Sequence, residues 1–336
     1  MEQKKVLIDK RESDAIWIMK AVAVLAIVSC HCCEVDPNAG LINQIATYFF
    51  EGWMRFGVPV FYFLSGYFFR CEEKGFSNFW KKKFITIIIP WIVTGTAIWM
   101  YVVLRKGGIS LRGWLGFVFL RESYLYYLTN LIAFYLVLYY VRKWKYLRYA
   151  VSCAVVLSII LQICGIRNLF TLTDMMQVTN PFICFYIGMV FGIRKWLGRF
   201  RAGIWSLGIC FFIGFRVIDR VCTMNGNYAW MIFLITFLAL IISLFSISYQ
   251  LAGKEQKILQ AVGRKSYSIY LLHMPAAGVI ANLLNRSYSF AILTFVRPII
   301  VIAITMFLVW IYEKITKKNK WFMLLIGERE YENRNY

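Results

Sequence analysis

The chain has 336 residues, of which 60% are hydrophobic and 16% charged, and its formal net charge is +21. Soluble domains average about 45–50% apolar and about 25% charged residues, so this composition excludes an ordinary soluble domain. It predicts an all-α protein, a bundle of about ten transmembrane helices, because ten apolar runs approach the roughly 20 residues that span a bilayer. These runs cover residues 15–33, 52–70, 84–104, 123–141, 149–166, 175–193, 202–221, 227–248, 266–284 and 289–312.

The basic residues lie mostly on one side of the predicted spans. With the N-terminus in the cytoplasm, 27 of the 38 Lys and Arg residues fall in cytoplasmic segments and seven on the opposite side. Such a bias sets the orientation of membrane proteins, and with an even number of spans it predicts that both termini are cytoplasmic. The excess charge therefore indicates topology and attraction to anionic membrane lipid, and we expect no nucleic-acid partner.

Charged segments at the two ends of the chain flank the apolar part, so the sequence predicts three regions. Residues 1–14 are too charged and too long for a cleavable signal peptide, so we expect the first helix to stay in the mature protein. We predict a cytoplasmic segment at 1–14, a transmembrane domain at 15–312 and a basic cytoplasmic tail at 313–336. Within that tail, the run from Trp321 to Ile326 is typical of a short interfacial helix.

The first predicted span contains Lys20 and His31, eleven positions apart. Eleven helical steps of about 100° return to within roughly 20° of the start, so both side chains share one face, about 16 Å apart along the axis. A lysine in the hydrocarbon region costs about 3 kcal/mol, and such residues usually face a bundle interior or a watery cavity. The pair is therefore the first candidate site. In the alternative interpretation, each side chain snorkels to the headgroups on its own side of the membrane.

The cysteines do not predict a disulfide framework or a metal centre. There are nine of them, an odd number, and most lie inside the predicted spans. Cys30, Cys32 and Cys33 surround His31, but consecutive helical residues point about 100° apart and cannot all reach one ion. We therefore expect no metal site.

Two prolines interrupt the second and third spans. Pro59 frees a backbone carbonyl in the second span, and we expect a kink there that lines the site; Arg55 lies about one turn inside the outer end of this span. The third span contains Pro90 and follows three lysines at 81–83. Lysines beside a membrane helix are usually topology anchors, but with a phosphate-bearing donor on that side they become a candidate anion site.

The next segment carries four basic residues, between residues 105 and 122, on the predicted outside. Its apolar centre is too short to span, so we expect an interfacial or re-entrant piece with Trp114 at the headgroup level. Tyr126 and Tyr127 follow at the entrance of the fourth span. They are typical either of an interfacial belt or of a platform on which a sugar stacks.

The sixth and ninth spans supply two further signals. Gly188 and Gly192 have the spacing of small residues at a close helix contact. His273 lies about two turns inside the ninth span and is one of only two histidines in the chain. A proton relay or a buried core histidine is the plain interpretation of this residue.

Six separated motifs occur in one order along the chain. They are Lys20-x10-His31, PVFYFLSGYFFR at 59–70, FWKKKFITIIIPW at 79–91, LYYLTNLIAFYL at 125–136, FYIGMVFG at 185–192 and VGRKSYSIYLLH at 262–273. In this combination the chain resembles the acyltransferase-3 family of bacterial integral membrane O-acyltransferases over essentially its whole length.

The resemblance implies transfer of an acetyl or other short acyl group from cytoplasmic acyl-CoA to a hydroxyl of a glycan or other cell-envelope acceptor, in the bacterial inner membrane. Acyl-CoA, with acetyl-CoA as the first candidate, would be a co-substrate rather than a permanently bound cofactor. Membrane lipid, the envelope acceptor and glycan-assembly proteins are the candidate partners.

The resemblance also assigns roles to matching positions. His31 matches the catalytic histidine and Lys20 its basic partner. Positions expected to bind the donor or line the cavity are Ser65, Gly66, Lys83, Tyr270 and His273, with Arg55 added from its place within a span. Tyr126 and Tyr127 are weaker acceptor candidates, since relatives usually have Trp there. Many relatives also have Arg-x-x-Arg where this chain has Lys83 followed by Thr86, so the second cation is missing.

The residues alone are consistent with this chemistry. A hydroxyl loses its proton as it attacks a thioester, and histidine, whose pKa is near neutrality, suits that base. We choose His31 because it shares a helix face with a cation. Lys20, nearer the cytoplasm, fits donor phosphate better than the developing oxyanion. Ser65 as an acylated nucleophile is a weaker alternative, because no base is adjacent in sequence and a Ser-Gly kink explains the pair.

Two other classes of function remain open at this point. A transporter or small-molecule-binding module on the same fold would move its ligand without consuming acyl-CoA. A structural subunit of a glycan-assembly complex would need neither His31 nor Lys20. The pairing of these two residues on one face within the membrane favours the enzyme.

Overall fold

The structure is a computed structural model, and it describes most of the helical segments. The described residues are 9–32, 41, 45, 49–50, 54–69, 75–120, 123–143, 145–163, 179–194, 196–197, 200, 208–210, 212–214, 217, 229–252, 254, 256–284, 291–316 and 319–328. Most of the predicted span at 202–221, and Cys33, lie outside them.

The described residues form helices joined by turns, with no β-strand among them, as the all-α prediction requires. A 3-10 helix covers Met54–Phe56 and a π-helix covers Phe84–Ile88. The thirteen α-helices are α1 (Lys10–His31), α2 (Gly57–Tyr67), α3 (Gly75–Lys83), α4 (Ile89–Lys106), α5 (Leu111–Phe119), α6 (Tyr126–Lys143), α7 (Lys145–Ile163), α8 (Thr179–Arg194), α9 (Ala229–Ala252), α10 (Lys257–Arg264), α11 (Ser266–Leu284), α12 (Ala291–Ile315) and α13 (Lys320–Leu325).

Three stretches of the described helices are long and apolar enough to cross a membrane: Lys10–His31, Phe76–Arg105 and Phe295–Ile315. Shorter apolar helices cover Tyr126–Val141, Pro181–Ile193 and Phe237–Ala252. These six stretches overlap six of the ten predicted apolar runs and are consistent with an integral membrane protein. The total of ten crossings and the cytoplasmic location of both ends stay predictions.

The chain divides into two compact units. Unit 1 comprises Met1–Gly57, Trp196–Cys210 and Ala239–Tyr336, and unit 2 comprises Val58–Lys195 and Phe211–Leu238. Each is described below by itself. The predicted boundaries at 1–14, 15–312 and 313–336 stay a prediction.

Unit 1 is built around α1, which is buried along most of its length and packs against α10, α11 and α12. Asp9 caps its start by accepting a hydrogen bond from the Arg11 backbone N–H. Two glycines let neighbouring backbone approach closely. A Cβ on Gly263 of α10 would lie 1.9 Å from the Trp17 carbonyl oxygen, and one on Gly57 would lie 2.5 Å from that of Ala23.

The last described residues of unit 1 pack against the start of α11. Gly327, just after α13, has φ of 79°, a left-handed conformation that favours glycine at a helix end. A Cβ there would lie 2.4 Å from the ring of Tyr267. The tail helix predicted from Trp321 to Ile326 exists as α13, and Gly327 and Glu328, directly after it, contact α11; its interfacial location stays a prediction.

A buried carboxylate completes this contact. Glu328 is 6% exposed and accepts a hydrogen bond from the Ser268 hydroxyl at 2.5 Å. Lys265 Nζ lies 3.6 Å from Glu328 Oε2 and also pairs with Glu313. Burial raises the pKa of Glu328, although the Ser268 hydrogen bond and the Lys265 charge oppose that shift. The desolvation of the carboxylate thus outweighs its favourable partners.

We expect Glu328 to make unit 1 less stable as the pH rises. Its pKa is raised in the folded protein, so the folded state binds the proton more tightly than the unfolded state, and stability present at low pH is lost as the pH rises through the folded-state pKa. Glu328→Gln keeps an acceptor for Ser268 and should raise Tm by about 2 °C at neutral pH. The difference should shrink as the pH falls towards the ordinary pKa of a glutamate carboxyl, about 4.3. Thermal unfolding at both pH values checks this, and parallel pH dependence of the two proteins would contradict it.

Unit 2 contains the glycine contact predicted from the sixth span. A Cβ on Gly188 would lie 2.0 Å from the carbonyl oxygen of Phe63, and one on Gly192 would lie 2.2 Å from that of Tyr67. The backbones of α2 and α8 therefore touch, which confirms the interpretation of this pair as helix packing.

The expectation of a kink at Pro59 is wrong. The helix α2 begins at Gly57, so Pro59 lies in its first turn, where the missing N–H breaks no helical hydrogen bond. Pro90 lies in the first turn of α4, but it is inside the continuous helical stretch Phe76–Arg105, as predicted for the third span. The π-helix Phe84–Ile88 stands directly before it, since the proline removes a backbone donor and the preceding turn widens.

The short segment before the fourth span is the helix α5, which packs against α4. Its nine residues are too few to cross a membrane, as predicted. Trp114 Nε1 donates a hydrogen bond to Thr96 Oγ1 of α4 at 2.9 Å. The position of Trp114 at the headgroup level stays a prediction.

Candidate functional site

The two histidines of the chain meet in unit 1. His31 is the last residue of α1, and His273 lies about two turns inside α11. The centres of their rings are 5.3 Å apart and the ring planes are inclined by 44°. His273 is fully buried, whereas His31 remains exposed. One imidazole is therefore reachable from outside the packed helices, and the second stands behind it.

The ring of His273 is held by its own helix. Its Nδ1 lies 2.7 Å from the carbonyl oxygen of Tyr270, one turn earlier. Because a carbonyl oxygen only accepts, Nδ1 is the donor in this bond, and in the neutral ring Nε2 carries the lone pair. Tyr270 is buried, and its ring centre is 5.8 Å from that of His273. The motif at 262–273 therefore places Tyr270 and His273 close to His31.

Lys20 lies on α1 at half-buried depth. Its ammonium group sits 4.4 Å from the ring centre of Trp17, one turn towards the N-terminus. A cation over an aromatic face is attracted by the ring electrons, and here the side chain extends away from the His31 end of the helix. Arg55 is exposed on the 3-10 helix that packs against α1.

Arg297 lies outside the six motifs of the sequence and near the candidate site. This residue of α12 is half-buried and interacts electrostatically with Cys32, which directly follows His31. It is one of four Lys and Arg residues within the predicted spans. An arginine inside an apolar run is itself a signal of a functional position, and that signal was available in the sequence.

A polar network occupies the core of unit 2. The hydroxyls of Ser65 and Tyr127 are 3.5 Å apart. The Tyr62 hydroxyl donates to the Tyr127 carbonyl oxygen at 3.3 Å and also bonds the side chain of Asn130. Tyr62, Tyr127 and Asn130 are all buried. Ser65 and Tyr127 therefore belong together, while Tyr126 is half-buried beside them.

The other two motif residues of unit 2 have structural surroundings of their own. A Cβ on Gly66 would lie 2.0 Å from the Phe185 carbonyl oxygen, so the glycine of the Ser-Gly pair permits the contact between α2 and α8. Lys83 Nζ is 4.0 Å from the ring centre of Tyr135 and 5.5 Å from that of Phe79. It is the last residue of α3, directly before the π-helix.

Within the part of the chain that the structure describes, no three His, Cys, Asp or Glu side chains are grouped as metal ligands. The cysteines nearest to His31 have other surroundings. Cys30 Sγ lies 3.2 Å from the carbonyl oxygen of Phe50, to which it donates, and Cys32 is buried beside Arg297.

One comparison with known proteins identifies a family. The family model described as an acyltransferase domain, that of acyltransferase-3, matches residues 14–314. The match contains most of α1, all of α2 to α11 and nearly all of α12, and so both histidines. No curated protein and no solved structure matches the chain.

Proposed function

Because this chain belongs to the acyltransferase-3 family, we propose that it is a membrane O-acyltransferase that moves an acetyl or other short acyl group from acyl-CoA to a hydroxyl of a cell-envelope acceptor. Membership identifies an acyltransferase and so favours an enzyme over a transporter or a structural subunit. The donor, the acceptor and the base are our proposal, with a polysaccharide as the first acceptor candidate.

The observation that carries the proposal is the exposed imidazole of His31 at the end of a buried helix, 5.3 Å between ring centres from a second imidazole. A general base must reach its substrate and keep a defined orientation. The open face of His31 supports the first requirement, and the packing of α1 against α11 supports the second.

In the proposed reaction the acceptor oxygen attacks the thioester carbonyl carbon while a ring nitrogen of His31 takes the hydroxyl proton. The tetrahedral intermediate then collapses, its C–S bond breaks, and His31 returns the proton to the leaving thiolate of CoA. The products are the acyl ester and free CoA. The proton that leaves the acceptor hydroxyl ends on the thiol of CoA.

The remaining candidate residues take supporting roles in this proposal. Lys20 is one candidate for binding a phosphate of the donor, and Lys83 is a separate candidate, because a lysine binds phosphate as a point charge. Ser65 is a candidate for binding the donor or lining a cavity, and Tyr126 and Tyr127 are the weaker acceptor candidates. The bacterial inner membrane is the proposed location, with the donor on the cytoplasmic side and glycan-assembly proteins as candidate partners.

We expect His31→Ala to lower acyl transfer by about 10²–10⁴-fold, the usual contribution of a general base. The measurement is transfer of label from radiolabelled acetyl-CoA to envelope glycan by the purified full-length protein in nanodiscs. Mass spectrometry of envelope glycans from cells with and without the intact protein identifies the acceptor by its lost acyl mass.

The matched control is Leu104→Ala, which removes an exposed side chain of α4 and should leave transfer unchanged. Size-exclusion chromatography shows whether each variant is folded. A folded His31→Ala protein that keeps most of its transfer activity would remove His31 from the mechanism.

A further inference from the structure

His273 lies where it can orient the proposed base. A hydrogen bond of about 3 Å between two ring nitrogens, each about 1 Å from its ring centre, separates the centres by about 5 Å. The separation of the His31 and His273 ring centres is 5.3 Å. The two rings are therefore close enough for such a bond across the contact between α1 and α11, and the bond forms when the exposed His31 ring turns an N–H towards His273 Nε2.

The local structure also determines which nitrogen His273 offers. Its Nδ1 proton is engaged by the Tyr270 carbonyl oxygen at 2.7 Å, so Nε2 is the acceptor. Pro275 follows two residues later inside α11 and removes a backbone donor from this turn. Full burial of the ring prevents water from competing for the acceptor.

We propose that His273 is a positioning residue for His31: its Nε2 accepts the N–H of one His31 ring nitrogen and so leaves the other His31 nitrogen unprotonated towards the acceptor hydroxyl. This inference rests on the proposed function, in which His31 is the base. A base whose second nitrogen is held by an acceptor keeps one tautomer and one orientation, as in hydrolase triads. Here the acceptor is a neutral imidazole instead of a carboxylate.

A neutral hydrogen-bond acceptor is favoured at the fully buried position of His273. An unpaired carboxylate in the same position would carry a large desolvation cost, whereas a neutral ring carries none of that charge. When His31 takes the substrate proton, the positive charge forms on the exposed ring, and His273 still accepts the same N–H. No proton has to pass to His273 at any step.

The first test separates positioning from binding. His273→Phe keeps a ring of similar size but removes the acceptor, and we expect kcat to fall about 10–100-fold, the usual effect of losing an orienting partner, with KM for acetyl-CoA unchanged. His273→Gln retains an oxygen acceptor and should recover part of kcat. Gly278→Ala, on the same helix and with open space around its Cβ, should match the wild type.

The second test needs no activity. The chain has only two histidines, so histidine labelled with nitrogen-15 gives two pairs of ring-nitrogen signals, one pair for each imidazole, whose shifts report the tautomers. We expect the His273 ring to show the Nδ1–H tautomer with and without substrate. We expect the His31 ring to show a single tautomer. In His273→Phe the remaining signal should become a mixture of tautomers.

The outcomes are distinguishable from failure of the proposed function. If His31→Ala abolishes transfer while folded His273→Phe keeps its kcat and a single His31 tautomer, the positioning role is wrong and the base assignment stands. If His31→Ala retains transfer, the positioning role of His273 and the assignment of His31 as the base are both wrong. If His273→Phe does not fold, the tautomer of His31 in His273→Gln decides: a mixture no different from free imidazole would overturn the proposal.

Discussion

Gly188→Ala should push α2 and α8 apart and destabilise unit 2 by about 2–3 kcal/mol. The added Cβ would lie 2.0 Å from the Phe63 carbonyl oxygen, 2.8 Å from its carbonyl carbon and 2.9 Å from its Cα. All three are backbone atoms, so no side chain can rotate away and the helices themselves must shift. Overpacking of this kind costs about 1–3 kcal/mol and sometimes more, and we expect Tm to fall by roughly 5–10 °C.

The control for this substitution is Gly95→Ala. The nearest atom to its Cβ is Leu125 Cδ1 at 2.9 Å, the tip of a side chain that can move. Because alanine also has the better helix propensity, Gly95→Ala should be much milder. Thermal unfolding of both purified variants in the same detergent makes the comparison, and equal Tm values would show that α2 and α8 do not meet as described.

Gly263→Ala should reduce both stability and transfer, because it acts on the helix that carries Lys20 and His31. Its Cβ would lie 1.9 Å from the Trp17 carbonyl oxygen and 2.6 Å from the carbonyl carbon. The helix α10 would have to withdraw from α1, and α11, which follows it after Lys265, would move with it. A displacement of about 1 Å at a catalytic group costs on the order of 10²-fold in rate.

Gly278→Ala is the matched substitution within unit 1. It lies on α11 with no atom within 4 Å of its Cβ, so it should keep wild-type transfer and gain up to about 1 kcal/mol of helix propensity. Initial rates with labelled acetyl-CoA and Tm values are measured for both variants. If Gly263→Ala kept the wild-type rate and Tm, the close contact of α10 with α1 would not position the site.

Several elements follow directly from local sequence patterns. The apolar runs predict helices because a segment in lipid must satisfy its own backbone hydrogen bonds, and the described residues form helices joined by turns, with no strand among them. The spacing of Gly188 and Gly192 predicts a close helix contact, which the structure contains. Pro90 lies inside a helix as expected, but Pro59 shows the limit of the pattern, since an apolar run does not reveal where within it the helix begins.

The sequence indicated individual residues of the candidate site, but not which of them contact one another. The positions of Lys20 and His31 on one helix are a matter of spacing, whereas the meeting of His31 with His273 joins residues 242 positions apart. Gly66 was expected in the donor site or cavity, and its surroundings are a backbone contact with Phe185. The burial of Glu328 against Ser268 had no signal in the charged tail.

Hydropathy, charge bias and ordered motifs were therefore sufficient for the helical membrane class, the family and a shortlist of polar residues within spans. Packing alone decided which of those residues meet, that His273 stands behind His31, and that a tail carboxylate is buried at the start of α11. The reason is physical: periodicity records which face of a helix avoids water or lipid, but the choice of partner for that face depends on the shapes and backbone approaches of helices distant in the chain.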